Sequence, residues 1–421
     1  MAGNRVESAL LPGSLYEPVF DESWSRADLY SLATWINGMA FRNFQFTPTG
    51  KQIIKIAEIK NGISGQTKFT DATYDPCYLV TAGDMLFSWS GQPETSLDVS
   101  WWRGSDGWLN QHIFKVLPDK KRCLPEFFYY LLKYLKPHFI AIARNKQTTG
   151  LGHVTKADLE RITVRIPSIP LQREIAGILG ALDDKIELNR RMNETLEAMA
   201  RAIFKSWFVD FDPVRAKSEG RDTGLPSDIA TLFPDSFVDS ELRKIPKGWK
   251  VESLGDILEL AYGKGLKEDD RSIGSVPVYG SNGQIGWHSE SLVNGPGIVV
   301  GRKGNPGFVT WVHTDFFPID TTFYVVPKSN CPSLYYLYHA LGLQDLPSLS
   351  ADSAVPGLNR NAAYMSNQVV PPKDILKAFD SLVAPLRDKK HDGQKESATL
   401  STIRDSLLPK LMSGEIHTWA T

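Results

Sequence analysis

Two long segments with helical periodicity constrain the fold of this chain more than any other feature. The first, residues 169–208, reads IPLQREIAGILGALDDKIELNRRMNETLEAMARAIFKSWF and has no proline after Pro170. Its apolar residues recur about every 3.5 positions, which is typical of a helix that packs along another helix. A helix of roughly 40 residues is about 60 Å long. One such helix alone is most often an ordinary core element, so its partner has to be sought elsewhere in the chain.

A partner helix can be identified because the chain contains the same series of segments twice. At an offset of 204 residues a second helical segment aligns with the first without a gap. Upstream, HIFKVLP resembles TTFYVVP, and LPEFFYYLL resembles CPSLYYLYHAL, in the same order. Internal repetition of this kind defines the architecture before any local detail does. Each copy is therefore predicted to be a mixed domain followed by a long helix.

A heptad assignment predicts which side chains pair the two helices. In the first helix, the residues at heptad position a are apolar near both ends of the helix, but Asn189 occupies this position in the middle. In the second helix, Gly393 occupies the corresponding position. A glycine inside a helix costs about 1 kcal/mol, and a buried asparagine can fix the register of a helix pair. The residues predicted to pair the helices or dock a partner are Ile175, Leu182, Asn189, Leu196, Ile203, Trp207, Phe379, Leu386, Leu400 and Leu407. Trp207, Phe208 and Phe211 are either core residues or an apolar patch for a partner.

These observations predict an α+β fold with a pseudo-twofold internal repeat. Two mixed α/β domains are separated by two long antiparallel helices that form a coiled coil. The predicted division is a first domain at 1–167, a central helix at 168–211, a surface linker at 212–248, a second domain at 249–371 and a C-terminal helix at 372–416. The linker is assigned because it is rich in Pro, Gly, Ser and charged residues.

Composition and motifs favour a binding protein over an enzyme. A 42% hydrophobic fraction excludes general disorder, and 421 residues suggest two or three domains. The three cysteines are scattered, and no signal peptide or apolar run of 18 residues is recognised, so we expect a cytoplasmic protein that is not in the membrane. No histidine pair at i, i+4, no phosphate-binding loop and no Ser/His/Asp arrangement is found, which predicts no catalytic residue and no metal site.

Polar loops in both copies have the composition of a DNA-reading surface. Arginine pairs with guanine edges, Asn and Gln pair with adenine, and Lys or backbone N–H groups hold phosphates. Each loop taken alone is more often a solvated turn. The candidates in the first copy are Lys60, Asn61, Gln66, Lys68, Ser90, Gln92, Arg144, Lys146, Gln147 and Thr149. Those in the second copy are Lys264, Lys267, Tyr279, Ser281, Asn282, Arg302, Lys303, Asn305, Asn359 and Arg360.

The stretch PLQREIAGILGALDDKIELNRRMNETLEAMARAIFKSWFVDFDPVRAK, followed by GLPSDIATLFPDSFVDSELRKIPKGW, resembles the DNA specificity subunit of type I restriction–modification systems. The resemblance implies that each domain reads one half of a split site in double-stranded DNA. It also implies that the helices set the spacing and dock two methylation subunits. Those partners would hold S-adenosylmethionine, and restriction subunits would use ATP and Mg, so no cofactor is expected in this chain. The second helix departs from the pattern because it lacks the Gln of PLQREI and contains Gly393.

Two other classes of protein remain open at this stage. A non-catalytic scaffold with duplicated protein-binding domains would show no salt-dependent affinity for DNA. A self-sufficient methyltransferase or nuclease is disfavoured because the chain lacks a glycine-rich cofactor loop.

Overall fold

The computed structural model of the chain describes residues 18–146, 150–351 and 357–416. The chain forms two compact units: unit 1 comprises residues 1–187 and 398–421, and unit 2 comprises residues 188–397. Each unit thus combines one mixed domain with a part of both long helices. The five-part division predicted above treats the helices as separate segments, and it stays a prediction.

Unit 1 contains twelve strands in its described part: β1 (Ser25–Asp28), β2 (Ala33–Asn37), β3 (Lys51–Ile54), β4 (Phe69–Thr70), β5 (Leu79–Val80), β6 (Met85–Ser88), β7 (Ser90–Gly91), β8 (Asp98–Trp101), β9 (Gly107–Leu109), β10 (Ile113–Pro118), β11 (Gly152–His153) and β12 (Thr163–Ile166). Its helices are α1 (Ile56–Asn61), α2 (Pro93–Ser96), α3 (Pro125–Tyr134), α4 (Lys136–Asn145), α5 (Lys156–Arg161) and the start of α6 (Ile169–Phe204). Single 3-10 turns lie at Leu29–Leu32, Asn43–Gln45 and Pro76–Tyr78.

The centre of unit 1 is an antiparallel sheet in the order β2-β10-β6-β8. Strand β6 is buried on both faces, which explains its unbroken apolar run rather than an alternating one. Met85 and Phe87 join the main core with Phe127 of α3, whereas Leu86 joins a second cluster with Ile54. That second cluster belongs to the mixed sheet β4-β3-β9-β5, which widens the domain on its other side.

Unit 2 contains thirteen strands in its described part: β13 (Phe237–Val238), β14 (Ile245–Pro246), β15 (Lys250–Ser253), β16 (Leu258–Tyr262), β17 (Val276–Gly280), β18 (Gly283–His288), β19 (Gly297–Gly301), β20 (Val309–Val312), β21 (Phe317–Pro318), β22 (Thr322–Pro327), β23 (Ser350–Ala351), β24 (Gly357–Leu358) and β25 (Asn367–Val370). Its helices, besides the end of α6, are α7 (Asp212–Ser218), α8 (Ser227–Ala230), α9 (Leu254–Ile257), α10 (Leu334–Leu343), α11 (Arg360–Tyr364) and the start of α12 (Lys373–Ser413). A π-helical turn follows α6 at Lys205–Val209, and 3-10 turns lie at Glu268–Asp270 and Leu346–Leu349.

The two units repeat one topology. The sheet β16-β22-β19-β20 has the same strand order as β2-β10-β6-β8 when the strands are matched in sequence. The pair β15–β25 corresponds to β1–β12, and the parallel pair β17–β21 corresponds to β3–β9. Helix α10 follows β22 as α3 follows β10. The predicted internal repeat and the predicted α+β class with two long helices are therefore confirmed.

The long helices pair antiparallel within each unit. In unit 1, Arg404 of α12 lies 2.6 Å from Asp183 of α6. In unit 2, Asn189 donates to Glu396 at 2.8 Å, and further along α6 Glu197 meets Arg387 at 2.8 Å. The partner numbers on α12 fall as those on α6 rise, which defines the direction. In both ion pairs α6 supplies the carboxylate and α12 the arginine. This arrangement favours pairing of α6 with α12 over pairing of two copies of α6, whose carboxylates would repel each other.

Gly393 does not interrupt α12, which runs without a break from Lys373 to Ser413. A Cβ built on Gly393 would lie 2.8 Å from the side-chain oxygen of Asn193. The glycine therefore makes room for an asparagine of the facing helix. At this point the two helices therefore approach each other closely.

The buried stripe of α6 lies at heptad positions a and e. Ile175, Leu179 and Ala200 are almost fully buried, and so is Asn189. Position d is largely outward: Ile178 is 40% exposed and Met199 is 47% exposed. The helix thus keeps exposed apolar side chains beside its pairing face, although the sequence pattern alone had placed positions a, d and e in one broad seam.

The predicted linker is a folded part of unit 2. Residues 212–248 include α7, α8, β13 and β14. Val214, Phe233 and Ile245 are buried in the core of the unit. The turn-rich composition suggested a surface linker, but these three apolar residues pack into the core, while Leu232, Val238 and Leu242 stay exposed.

The aromatic residues at the end of α6 are core residues. Trp207, Phe208 and Phe211 are at most 2% exposed, and Phe208 stacks edge-on against Phe379 at 5.0 Å. The sequence left open whether these three residues belong to the core or form a patch for a partner, and the structure places them in the core. The π-helical turn and the left-handed backbone of Phe211 (φ 57°) direct these rings inward.

Gln172, the glutamine of PLQREI, joins the start of α6 to unit 1. It is fully buried; it accepts from the N–H of Leu124 at 2.9 Å and donates to the carbonyls of Arg122 and Pro167. Gln172→Leu deprives three backbone groups of this partner. We expect a loss of about 2–4 kcal/mol in the free energy of unfolding, measured by chemical denaturation.

Gln284→Leu is the control for this change. Gln284 is exposed and makes one long hydrogen bond of 3.4 Å, so its loss is expected to change stability by less than about 0.5 kcal/mol. Equal effects of the two substitutions would contradict a joining role for Gln172.

None of the helices in the described ranges is both long and apolar enough to cross a bilayer.

Candidate nucleic-acid interface

Three predicted loops of unit 2 converge at the ends of β16, β19 and β24. The backbone N–H groups of Arg302 and Lys303 both donate to the carbonyl of Thr321, and Leu358 N–H donates to the carbonyl of Arg302 at 2.8 Å. Ser281 also donates its hydroxyl to Thr321 O at 2.6 Å. Segments that are far apart in sequence are thus fixed side by side by main-chain bonds.

An exposed aromatic ring lies against two arginines at this point. Tyr262, the last residue of β16, is 50% exposed. The guanidinium carbon of Arg302 lies 4.9 Å from its ring centre, and that of Arg360 lies 4.8 Å from it. Arg302 and Arg360 were among the predicted candidates, whereas Tyr262 was not. We call these three residues the Tyr262 cluster.

The remaining candidates of unit 2 divide into exposed and structural groups. Exposed side chains are those of Lys264, Lys267, Asn282 and Lys303, and Asn305 is half-buried. Asn359 is the N-cap of α11 and accepts from two backbone N–H groups. Tyr279 is partly buried, and burial raises the pKa of its hydroxyl. Tyr279, Ser281 and Asn359 therefore shape the surface, while the lysines provide positive charge on it.

In unit 1 the predicted loops lie on α1 and on the strands β7 and β11. Lys60, Asn61, Gln66 and Lys68 are exposed around a turn held by the buried bond from Thr67 to Glu58. Ser90 lies in β7, which pairs with β11, and Gln92 is the exposed N-cap of α2. The structure thus brings Ser90 next to residues 152–153.

Two predicted cations of unit 1 are already engaged. Arg144 lies 2.6 Å from Glu94, and Lys146 is paired with Asp158. Their charges are compensated in the free protein, so they are poorer phosphate ligands than Lys60 or Lys68, for which the described residues offer no ion-pair partner. Gln147 and Thr149 lie outside the described residues.

Strand register identifies the residues of unit 1 that correspond to the Tyr262 cluster. Tyr262 is paired with Phe323 and Asn37 with Phe114, at matching positions of the two sheets. By the same register Trp89 takes the place of Arg302. The Trp89 indole donates to Asn37 Oδ1 at 3.0 Å. Neither Asn37 nor Trp89 was among the predicted candidates, because these were chosen from polar loops and both residues lie at the ends of strands.

A histidine lies against this unit 1 cluster. The ring centre of His112 lies 5.3 Å from that of Trp89. Burial, with the nearby His153, holds the pKa of His112 below its usual range. His112 is therefore neutral at pH 7, and one ring nitrogen can donate while the other accepts. The two units thus carry different side chains at matching positions of the same sheet topology.

A second cluster fixes the long helices in unit 2. Arg387, only 5% exposed, makes a forked pair with Glu197 and stacks over Tyr338, with 4.4 Å between its guanidinium carbon and the ring centre. Lys390 also bonds Glu197 at 2.7 Å. These neighbours hold the pKa of Glu197 below its usual range despite its burial. The cluster positions α12 against both α6 and the second domain.

His339 makes this cluster sensitive to acid. Burial and the Arg387 charge lower the pKa of His339 to about 3, against 6.5 when unfolded. The neutral form stabilises the fold above pH 6.5, and this contribution is lost as the pH falls towards 3. We expect about 2 kcal/mol of stability to be lost at pH 5 through this group.

The measurement is the denaturation free energy at pH 7, 6 and 5, for the natural chain and for His339→Gln. Gln fills a similar volume and does not titrate, so the variant is expected to show the shallower dependence on pH. An unchanged slope would mean that other groups govern the acid response.

In the described part of the chain, no three His, Cys, Asp or Glu side chains are grouped so that they could hold a metal ion.

Comparisons with known proteins give a consistent result. A family model described as the type I restriction modification DNA specificity domain matches residues 22–198. The type I restriction enzyme HindI specificity subunit of Haemophilus influenzae is 28% identical over 381 residues, covering 74% of this chain and 82% of the relative. The MjaIX specificity subunit of Methanocaldococcus jannaschii is also 28% identical, over 73% of this chain and 72% of the relative.

A solved structure supports the fold. The crystal structure of a type I restriction-modification system S subunit from M. genitalium superposes with a TM-score of 0.58, covering 95% of this chain and 98% of that one. At 19% identity this likeness concerns the fold alone.

Proposed function

The chain belongs to the family of type I restriction–modification specificity subunits, and we propose that its two domains each read one half of a bipartite site in double-stranded DNA. The observation that supports this most directly is one topology used twice with different surface residues. Tyr262 and Arg302 in unit 2 take the places of Asn37 and Trp89 in unit 1. Two readers with different side chains recognise an asymmetric pair of half-sites.

The affinity of such a chain for DNA depends on partners. Its formal net charge is -1, and Arg144 and Lys146 are paired internally. Phosphate contacts supply most of the affinity of DNA-binding proteins, so this chain alone is a weak binder. We propose that two modification subunits carrying S-adenosylmethionine dock on α6 and α12, methylate adenine and supply the missing contacts, while restriction subunits bring ATP and Mg.

The exposed apolar side chains of α6 support this docking. Ile178, Leu188 and Met199 are 40%, 57% and 47% exposed on a helix whose neighbouring face is buried. Exposed apolar side chains on a rigid element are typical anchors for a partner. Catalysis is assigned to those partners in this proposal, and this chain contributes specificity.

The test is to co-express the chain with its modification subunits and map methylated adenines across the host genome. A bipartite motif with two short defined halves and an undefined spacer is expected. Purified complex should also bind a duplex with that motif in a salt-dependent manner. A scaffold without DNA-reading domains would leave methylation unaffected when the chain is omitted, and that outcome would overturn the proposal.

A further inference from the structure

The Tyr262 cluster has the geometry of a preorganised reading head. Tyr262, Arg302 and Arg360 come from three separate parts of the chain, yet both guanidinium groups lie within 5 Å of the same exposed ring centre. Arg302 also donates to the carbonyl of Asp320 at 3.0 Å. Stacking and this bond restrict the side chains before any ligand arrives, which reduces the entropy lost on binding.

The two arginines carry charge that the described residues do not neutralise. Neither has an ion pair with a described carboxylate; each is held by ring faces and by a backbone carbonyl, which for Arg360 is that of Leu260 at 3.5 Å. Arg387 shows the contrasting case, since it is buried and bonded in a fork to Glu197. An arginine that serves the fold alone is usually paired in this way. The remaining N–H donors of Arg302 and Arg360 are available to a ligand.

A guanidinium fork fits two kinds of partner in a DNA duplex. It binds the N7 and O6 acceptors of guanine in the major groove, or a phosphate oxygen pair. Phosphate contact requires only charge near the backbone, and exposed lysines such as Lys303 and Lys264 already supply it. Contact with the ring of Tyr262 restricts the position of each fork, and a restricted fork suits bidentate recognition of a base edge.

Unit 1 lacks this pair at the corresponding places. Asn37 and Trp89 occupy the positions of Tyr262 and Arg302, and Lys156, the first residue of α5, corresponds to Arg360 at the start of α11. The reading chemistry of the Tyr262 cluster therefore belongs to the second domain only.

We propose that Arg302 and Arg360 read guanine in the half-site of the second domain, through paired hydrogen bonds to N7 and O6, with Tyr262 as the residue that positions both. This inference rests on the proposed function and adds the base that one half of the target must contain.

The experiment uses the complete complex with its modification subunits and duplexes bearing its mapped methylation motif. Each guanine of the motif is replaced in turn by 7-deazaguanine, which keeps O6 but has no N7 acceptor. For the natural complex we expect binding to fall about 5- to 100-fold at one or two guanines, all in the same half-site. Guanines of the other half-site serve as the internal reference.

Arg302→Lys and Arg360→Lys keep the charge but lose the fork. Each variant is expected to lose sensitivity to 7-deazaguanine at one guanine and to accept other bases there. Tyr262→Phe, which keeps the ring, should retain specificity, whereas Tyr262→Ala should relax it at both positions. Arg221→Ala is the matched control, because Arg221 is an exposed arginine paired with Glu219, and it should leave the motif unchanged.

Different failures have different meanings. If the lysine variants keep the natural sensitivity to 7-deazaguanine, or if Arg302→Ala weakens all duplexes equally, the arginines hold phosphates and the inference is overturned while the proposed function stands. If the complex binds no duplex of any sequence, the proposed function fails and the inference with it.

Discussion

Glu197→Ala is expected to lower the free energy of unfolding by about 3–5 kcal/mol, the largest single-residue effect on stability that we expect in this chain. The carboxylate of Glu197 lies within 2.8 Å of Arg387 and 2.7 Å of Lys390. Arg387 is 5% exposed, so removal of its partner leaves a cation buried among Trp311, Tyr338 and His339 without compensation. Chemical denaturation of the full chain, followed by tryptophan fluorescence, measures the loss.

Glu194→Ala is the matched control for this result. Glu194 lies on the same helix, three residues before Glu197, and pairs with Arg190 on the solvent side with 64% of its side chain exposed. Exposed pairs of this kind contribute about 0.3–0.5 kcal/mol. The double variant Glu197→Met with Arg387→Met removes both charges and should recover much of the loss. If the double variant is as unstable as Glu197→Ala, packing rather than charge explains the effect.

Removal of one matched heptad from both long helices is expected to shorten the undefined spacer of the target by about three base pairs. A heptad spans about 10 Å of helix, and a base pair about 3.4 Å of duplex. The segments to delete together are residues 188–194 of α6 and 392–398 of α12, which face each other. They contain the whole polar layer of Asn189, Asn193, Gly393 and Glu396, so no buried polar group loses its partner. Both half-sites should remain the same.

The flanking ion pairs make this deletion feasible. Asp183 with Arg404 and Glu197 with Arg387 lie outside the deleted segments and keep their spacing to the domains they anchor. Each base pair also rotates the groove by about 35°, so the shortened variant should methylate more slowly. Methylation mapping measures spacer and half-sites together. A matched insertion should lengthen the spacer, and altered half-sites with an unchanged spacer would contradict the role of the helices as a ruler.

The candidate DNA-binding residues show what the local sequence can predict and what it cannot. Arg302 and Arg360 were selected because an arginine on a polar loop often contacts DNA. Arg144 and Lys146 met the same criterion, but Glu94 and Asp158 lie beside them in the fold. Composition cannot distinguish these cases because charge compensation depends on neighbours brought together by the sheet. Asn37 and Trp89 do not lie on polar loops. Only the strand register shows that they correspond to Tyr262 and Arg302, and the Trp89 indole is bonded to Asn37.

The sequence by itself determined the duplication, the two long helices and their partnership, because periodicity and repetition are properties of spacing along the chain. It also singled out Asn189 and Gly393 as exceptions at apolar heptad positions, and Gln172 as a residue that the second helix lacks. Only the tertiary structure decided what those residues do: Gly393 admits Asn193, and Gln172 satisfies three backbone groups. It also decided that apolar residues of 212–248 pack into a core and that Tyr262 contacts two arginines. Such contacts join residues far apart in sequence, and their energies depend on burial and on facing partners that no local window contains.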